Sequence, residues 1–330
     1  MDLFGVIFIV AVALAFDFVN GMHDAANSIA TVVATRVLRP FHAVAWAAFW
    51  NFVAAFGFGV AVANTIGKGV IDTGIVNEQV ILAALTGAIV WDMVTWYFGL
   101  PSSSSHALIG GLVGAALVQA GWDAVDDAGI RKVAAFIVIS PLLGFLVASL
   151  ISLLVRTVFR NAHPTLAGTV FKRLQLLSAA AYSLSHGTND AQKTMGIISV
   201  LLFSTGHLGG EFHVPLWVIL SAHTAIALGT LSGGWRIVHT MGSRITKLEP
   251  YGGFSAETAA ASAIIYASQV GIPVSTTHTI AGAITGVGST RRFSAVRWNV
   301  AGQIVWAWVL TIPAAAALSA LALLALRPFE

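Results

Sequence analysis

Two pairs of polar motifs hold the side chains of this chain that could do chemistry. One pair is a run of hydroxyls that ends in histidine, at residues 99–106 (GLPSSSSH) and 271–278 (GIPVSTTH). The other pair surrounds an aspartate, at residues 21–28 (GMHDAANS) and 187–194 (GTNDAQKT). Each motif occurs once in each half of the chain, inside a stretch apolar enough to cross a membrane. A duplicated membrane unit with polar interruptions at matching places is typical of a transporter.

The hydroxyl motifs predict an anion site. Each places unpaired amides and hydroxyls at the start of a short helix, behind Pro101 or Pro273, and the positive end of a helix dipole favours an anion there. If the two copies enter from opposite leaflets, both helix ends can point at one oxyanion such as phosphate or sulfate. The alternative is that these small residues only let helices pack closely. The candidate anion ligands are Ser103, Ser104, Ser105, Ser275, Thr276 and Thr277.

The aspartate motifs predict a site for a coupling ion. An unpaired carboxylate in a membrane costs at least ~2.5 kcal/mol, so Asp24 and Asp190 each need a cation, a proton or a hydrogen-bonding partner. Sodium would be held by these carboxylates with Asn27, Asn189 and backbone oxygens; a proton would sit on an aspartate, on His23 or on His186.

Five further polar residues in apolar surroundings have two interpretations each. Lys193 either forms a structural ion pair with Asp190, three residues before it on one helix face, or offers its charge to the anion. His106 and His278 either contact the ligand or carry a proton, or are hydrogen-bonded structural links. Asp17 and Asp92 form either a second ion site or a buried pair.

The composition indicates an all-α integral membrane protein. Of 330 residues, 57% are hydrophobic and 9% are charged, and the mean hydropathy is +0.84. The basic residues collect between apolar segments and so report topology, which argues against a nucleic-acid surface. The absence of cysteine excludes disulfides, thiolate metal sites and a cysteine nucleophile.

The apolar segments predict two inverted repeats in a cell membrane. Five segments per half make the repeats antiparallel, and basic loops in the cytoplasm put both termini outside. The domains are therefore residues 1–155, a short basic linker at 156–173, and 174–330. The predicted crossings are 3–34, 42–62, 80–98, 103–119, 133–155, 174–203, 214–235, 253–270, 274–290 and 299–325.

Short segments and over-long segments extend the predicted architecture to about 10 to 12 transmembrane helices and half-helices, with re-entrant hairpins and broken helices. The segments 80–119 and 253–290 are either pairs of crossings or re-entrant hairpins, since the second part of each is short. The first and sixth segments are too long for one straight crossing, which makes Gly21 and Gly187 candidate break points.

At these residues the chain resembles the inorganic phosphate transporter family over nearly its whole length. The family's Gly-x-Asn/His-Asp-x-x-Asn motif is matched by Gly21, His23, Asp24 and Asn27. Its Gly-x-Asn-Asp-x-x-Lys-x-x-Gly motif is matched by Gly187, Asn189, Asp190, Lys193 and Gly196, and the Gly-x-Pro-x-Ser-Ser/Thr-Ser/Thr-His element is matched in both halves.

The resemblance implies symport of inorganic phosphate with a cation and suggests a homodimer in the lipid bilayer. The duplicated motifs predict alternating access, and we expect no cofactor. His23 stands where sodium-driven members usually have asparagine, which favours protons over sodium and is similar to a bacterial branch thought to carry neutral metal-phosphate complexes. Sulfate or another tetrahedral oxyanion is the alternative substrate.

Two other function classes are disfavoured. An intramembrane hydrolase would use Ser105 with His106 or Thr277 with His278, but adjacent residues on a helix diverge by about 100 degrees and cannot make a nucleophile–base contact. A passive anion channel is opposed by the buried aspartates, which repel anions unless a cation accompanies them.

Overall fold

Twelve α-helices make up most of the part of the chain that this computed structural model describes, residues 3–57, 59–68, 75–272 and 274–327. Those residues contain no β-strand, so the predicted all-α class is confirmed. The helices are α1 (Leu3–Ala34), α2 (Pro40–Val53), α3 (Ala61–Lys68), α4 (Glu78–Phe98), α5 (Ser104–Ala120), α6 (Asp127–Val158), α7 (Pro164–Ser204), α8 (Leu216–Ser232), α9 (Trp235–His239), α10 (Pro250–Gln269), α11 (Thr276–Arg291) and α12 (Trp298–Leu326).

Four of the described helices, α1, α4, α6 and α12, are long and apolar enough to cross a membrane. The α8–α9 pair passes the same test as one span bent by 63°, with the bend at Gly233–Gly234 and a π-helical turn after α9. Helix α6 leaves a row of leucines exposed, among them Leu146, Leu150 and Leu154. The interior, by contrast, is rich in buried polar groups, which is the arrangement expected where the surrounding solvent is hydrocarbon.

The expected breaks at Gly21 and Gly187 are wrong, because α1 and α7 run through them as continuous helices. These glycines serve close helix crossings instead. A Cβ on Gly21 would lie 2.2 Å from the carbonyl oxygen of Ile226 on α8, and one on Gly187 would lie 2.6 Å from that of Asn51 on α2. The interruptions fall elsewhere, in the predicted segments 42–62 and 214–235: α2 gives way to a 3₁₀ turn before α3, and α8 bends into α9.

The two halves interlock. The hairpin α4–α5 packs against α12, the last helix of the other half, and α10–α11 packs against α6 in the same way. Gly114 on α5 faces the carbonyl of Ala316, and Gly282 on α11 faces that of Pro141, at distances that leave no room for a Cβ. Each hairpin is therefore held by the half to which it does not belong.

The division into domains at 1–155 and 174–330 stays a prediction. The predicted linker at 156–173 is mostly helical, because the connection between α6 and α7 is non-helical only at residues 159–163.

Left-handed glycines turn the chain at both hairpins. Gly99 ends α4 with φ 66°, and Gly271 follows α10 with φ 69°. Glycine adopts this conformation without the steric cost that a Cβ imposes. Pro101 then leads into α5, whereas Pro273, on which the matching turn was expected to depend, lies outside the described residues.

Replacing Gly229 by alanine tests the glycine crossing of α1 and α8. Its Cβ would lie 2.0 Å from the carbonyl oxygen of Phe18, so the helices must separate, and we expect unfolding to become easier by ~1–3 kcal/mol. The matched control is Gly302→Ala on α12, where no atom lies within 4 Å and alanine should gain up to ~1 kcal/mol of helix propensity. Thermal unfolding in detergent measures both, and equal midpoints for the two variants would contradict the close crossing.

Candidate functional site

The starts of α5 and α11 meet inside the protein, as the hydroxyl motifs predict. Ser103 caps α5 by accepting from the amide of His106 at 3.3 Å, and Ser275 caps α11 by accepting from the amide of His278 at 3.2 Å. The rings of His106 and His278 are 4.7 Å apart between centroids. Two helix N-termini, one from each half, are thereby brought side by side.

Four backbone amides at this junction lie outside the helical hydrogen-bond ladder. The first such bond of α5 runs from Ala107 N to Ser103 O, so the amides of Ser104 and Ser105 precede it. In α11 the first bond runs from Thr279 N to Ser275 O, so the amides of Thr276 and Thr277 precede it. Amides in this position are the donors that bind anions at helix N-termini.

Lys193 joins α7 to both hairpin tips. It is buried, and its Nζ donates to Asp190 Oδ1, to the Ser105 hydroxyl and, at 3.5 Å, to the carbonyl oxygen of Val274. The ion pair with Asp190 is therefore present, and the same ammonium lies at the start of α5, where the second interpretation would have it meet the anion.

The hydroxyls of α11 tie the two aspartates together. Thr276 donates to Asp190 Oδ2 at 2.9 Å, and Thr277 donates to Asp24 Oδ2 at 3.3 Å while accepting from the Asn27 amide at 2.8 Å. Asp24, Asn27 and Asp190, predicted for the coupling ion, thus lie together with the α11 hydroxyls, which were predicted for the anion and here bond the carboxylates.

A buried histidine completes a group of three cation ligands. His186 Nε2 lies 3.0 Å from Asp190 Oδ2 and 4.0 Å from Asp24 Oδ2, and one ligand atom from each residue lies within 4.8 Å of the others. On its other side, His186 Nδ1 is 3.2 Å from Asn51 Oδ1. Two carboxylates and an imidazole could hold a metal cation, or share a proton. Sequence reasoning named His186 as a proton carrier only; its position one helical turn before Asp190 is the signal for a ligand role.

His23 connects Asp24 to the α4–α5 hairpin. Its Nδ1 is 2.7 Å from Asp24 Oδ1, while its Nε2 is 3.0 Å from the Thr95 hydroxyl and 3.3 Å from the Ser102 hydroxyl. Ser102 in turn donates to Thr95 at 2.9 Å. The chain of contacts from carboxylate to imidazole to hydroxyls is suited to moving or storing a proton.

Other predicted site residues have different surroundings. Asn189 Nδ2 donates to Ser268 at 2.9 Å and so binds α7 to α10. His278 stacks on Trp308 with centroids 4.0 Å apart, so its ring packs against α12. Ser104 Oγ is buried without a hydrogen bond of good geometry, beside Asp92 on α4.

Two further polar groups near the site connect helices, and of these the sequence analysis missed Glu257. Gln192 Oε1 accepts from the amides of Val62 and Ala63 at 2.8 and 3.2 Å, so α7 caps the N-terminus of α3. Glu257 is buried in α10 and accepts from Gln175 at 3.1 Å, from Ser178 and from Thr31. An acidic residue in an apolar segment is the signal that could have identified Glu257.

The charges of the site are unbalanced. Asp17, Asp24, Asp92 and Asp190 are all buried, and Lys193 is the buried ammonium near them. If all four carboxyls were ionised, the site would repel an anion, so an anion can enter only when protons or a cation offset the carboxylates.

A family model described as the phosphate transporter family matches residues 20–319 of the chain. A relative from Rhizobium meliloti (strain 1021), described as a probable low-affinity inorganic phosphate transporter, is 62% identical over 95% of this chain and 94% of its own length. A relative from Bacillus subtilis (strain 168) with the same description is 43% identical over 96% and 95%. A solved structure titled the sodium-dependent phosphate transporter superposes with a TM-score of 0.88 at 27% identity, covering 99% of this chain and all of that one.

Proposed function

The chain belongs to the phosphate transporter family, and we propose that it imports inorganic phosphate across the membrane together with a cation. It is a multi-pass membrane protein and not an enzyme, so the intramembrane hydrolase considered above is excluded. The observation that carries the proposal is the meeting of two helix N-termini, one from each half, at the buried group of Asp24, Asp190, His186 and Lys193.

Phosphate binds, in this proposal, between the starts of α5 and α11. The amides of Ser104, Ser105, Thr276 and Thr277 supply donors that the helices leave unused, and Lys193 supplies a positive charge beside them. The hydroxyls of Ser103 and Ser275 contribute by capping the helices and so holding the amides in place. A tetrahedral oxyanion with several acceptors suits this donor set; sulfate is the alternative substrate.

The cation is a proton in this proposal. The contact between His23 and Asp24, continued to Thr95 and Ser102, supports proton binding beside the phosphate site. The alternative is sodium at Asp24, His186 and Asp190, whose ligand atoms lie close enough to share one ion. A divalent metal carried as a neutral complex with phosphate would likewise offset the negative charge that phosphate brings to the buried carboxylates.

Alternating access follows from the interlocked halves in this proposal. Because each hairpin is held by the last helix of the other half, the α4–α5–α12 and α10–α11–α6 groups can move as units past the crossed α1 and α7. The proposal retains a homodimer with both termini outside.

Phosphate uptake into proteoliposomes under separate gradients tests the function. We expect radiolabelled phosphate to enter when a pH gradient is imposed without sodium, and excess sulfate not to compete. A requirement for a sodium gradient would replace protons by sodium. No phosphate uptake under either gradient would contradict the proposal.

Two classes of variant separate the phosphate site from the ion site. Asp24→Asn should abolish gradient-driven uptake while the protein stays folded in the membrane. Asp190→Asn should abolish it as well, with lower stability because it leaves Lys193 buried and unpaired. Ser105→Ala, which removes the hydroxyl that holds Lys193 at the start of α5, should instead weaken apparent phosphate affinity, by roughly tenfold for a lost interaction of ~1.4 kcal/mol. Uptake kinetics on all three variants measure both effects. Normal uptake by the aspartate variants, or unchanged half-saturation in the Ser105 variant, would remove those residues from their roles.

A further inference from the structure

Asp17 is a buried carboxyl whose polar neighbours are poorly placed to bond it. It lies on α1 two turns before Asp24, has no exposed surface, and neither of its oxygens accepts a hydrogen bond of good geometry from the described residues. Its polar neighbours are Asn20, one turn further along α1, and Thr194 on α7, whose amide and hydroxyl can act as weak donors to it. Asn20 Oδ1 and Thr194 Oγ1 are themselves buried without a hydrogen bond of good geometry. The carboxyl is therefore poorly stabilised in its ionised form.

Asp92 also lacks hydrogen bonds of good geometry to its oxygens, whereas Asp24, Asp190 and Glu257 have them. Asp24 and Asp190 each accept from a threonine of α11 and contact a histidine, and Glu257 accepts from three side chains. An ionised carboxylate with no well-placed donor is unfavourable in such a place. A neutral Asp17 carboxyl lowers that cost, and its O–H can donate to Asn20 Oδ1 or Thr194 Oγ1.

The number of ligands around Asp17 favours a proton over a metal cation. Asp190 and Lys193 act on it from α7 with opposite signs, so their charges do not decide between the two. One carboxyl, one amide oxygen and one hydroxyl are few ligands for a metal ion, whereas a proton needs a single acceptor. Titratable groups on other helices packed against α1 lie beside other partners: Asp92 beside Ser104, Glu257 against Thr31, and His223 against the carbonyl of Ile219.

We propose that Asp17 carries a proton that is transported with phosphate, at a site separate from the phosphate ligands and from the His23–Asp24 pair. This inference rests on the proposed function, which it deepens by assigning a further coupling residue. When the site opens to water, the O–H bond breaks, its electron pair stays on the carboxylate and the proton passes to water. Lys193 precedes Thr194 on α7, so phosphate bound beside Lys193 adds negative charge near Asp17 and favours the protonated carboxyl, and its departure removes that charge. Release of the proton is thereby linked to release of phosphate.

The experiment compares wild type with Asp17→Asn in proteoliposomes that contain a pH-sensitive dye. Two quantities are measured: protons entering per labelled phosphate, and exchange of labelled for unlabelled phosphate with no gradient. Asp17→Asn should lose pH-gradient-driven uptake by about tenfold or more, but should keep exchange and half-saturation within about twofold. Asp17→Glu should restore coupling. Asp123→Asn, the same change at an exposed loop carboxyl, is the matched control and should behave as wild type.

Three results would overturn the inference. Asp17→Asn could keep the wild-type ratio of protons to phosphate, or lose exchange together with coupling, in which case Asp17 serves binding or folding. It could also lose phosphate-linked uptake of labelled sodium while proton movement is unchanged, which would make the site a sodium site. Failure of the proposed function is distinct, since wild type itself would then show no phosphate exchange.

Discussion

The structure depends on one constraint: charged side chains in a protein surrounded by hydrocarbon must find their partners inside it. Lys193 and Asp190 meet this constraint as an ion pair on one face of α7, and the pair is held between Ser105 of one hairpin and Thr276 of the other. Removing either charge would leave its partner buried and unpaired, which costs several kcal/mol. The pair therefore fixes the place where the two halves meet, and it offers an anion both a positive charge and adjacent helix ends.

The apolar packing is arranged so that this polar centre can exist. Glycine crossings bring α1 against α8 and α7 against α2 closely enough for side chains such as Asn51 to reach His186 across the contact. The swapped packing of α12 on the first hairpin and α6 on the second brings the tips of α5 and α11 to the centre from different halves. A single unswapped half would present one helix N-terminus; the interlocked pair presents two.

Much of this arrangement could be predicted from the sequence, because its signals are local or duplicated. The repeated GxP-hydroxyl-His element predicted both capped helix starts, and the aspartate motifs predicted Asp24 with Asn27 and Asp190 with Lys193. The breaks at Gly21 and Gly187 were wrong because a glycine in a long apolar segment has two physical uses, a break or a close crossing, and only the partner helix distinguishes them. His186 as a third cation ligand and Gln192 as a cap for α3 depend on contacts between elements far apart in sequence, which spacing along one helix does not reveal.

A crystal structure with arsenate bound in place of phosphate would show whether helix ends from both halves hold one oxyanion. Arsenic scatters anomalously, so its position can be found independently of the protein density. If both halves bind the oxyanion, we expect a single strong arsenic peak within hydrogen-bond distance of the amides of Ser105 and Thr277 and of Lys193 Nζ. A peak bound by one half alone, or at a place away from the starts of α5 and α11, would contradict this expectation.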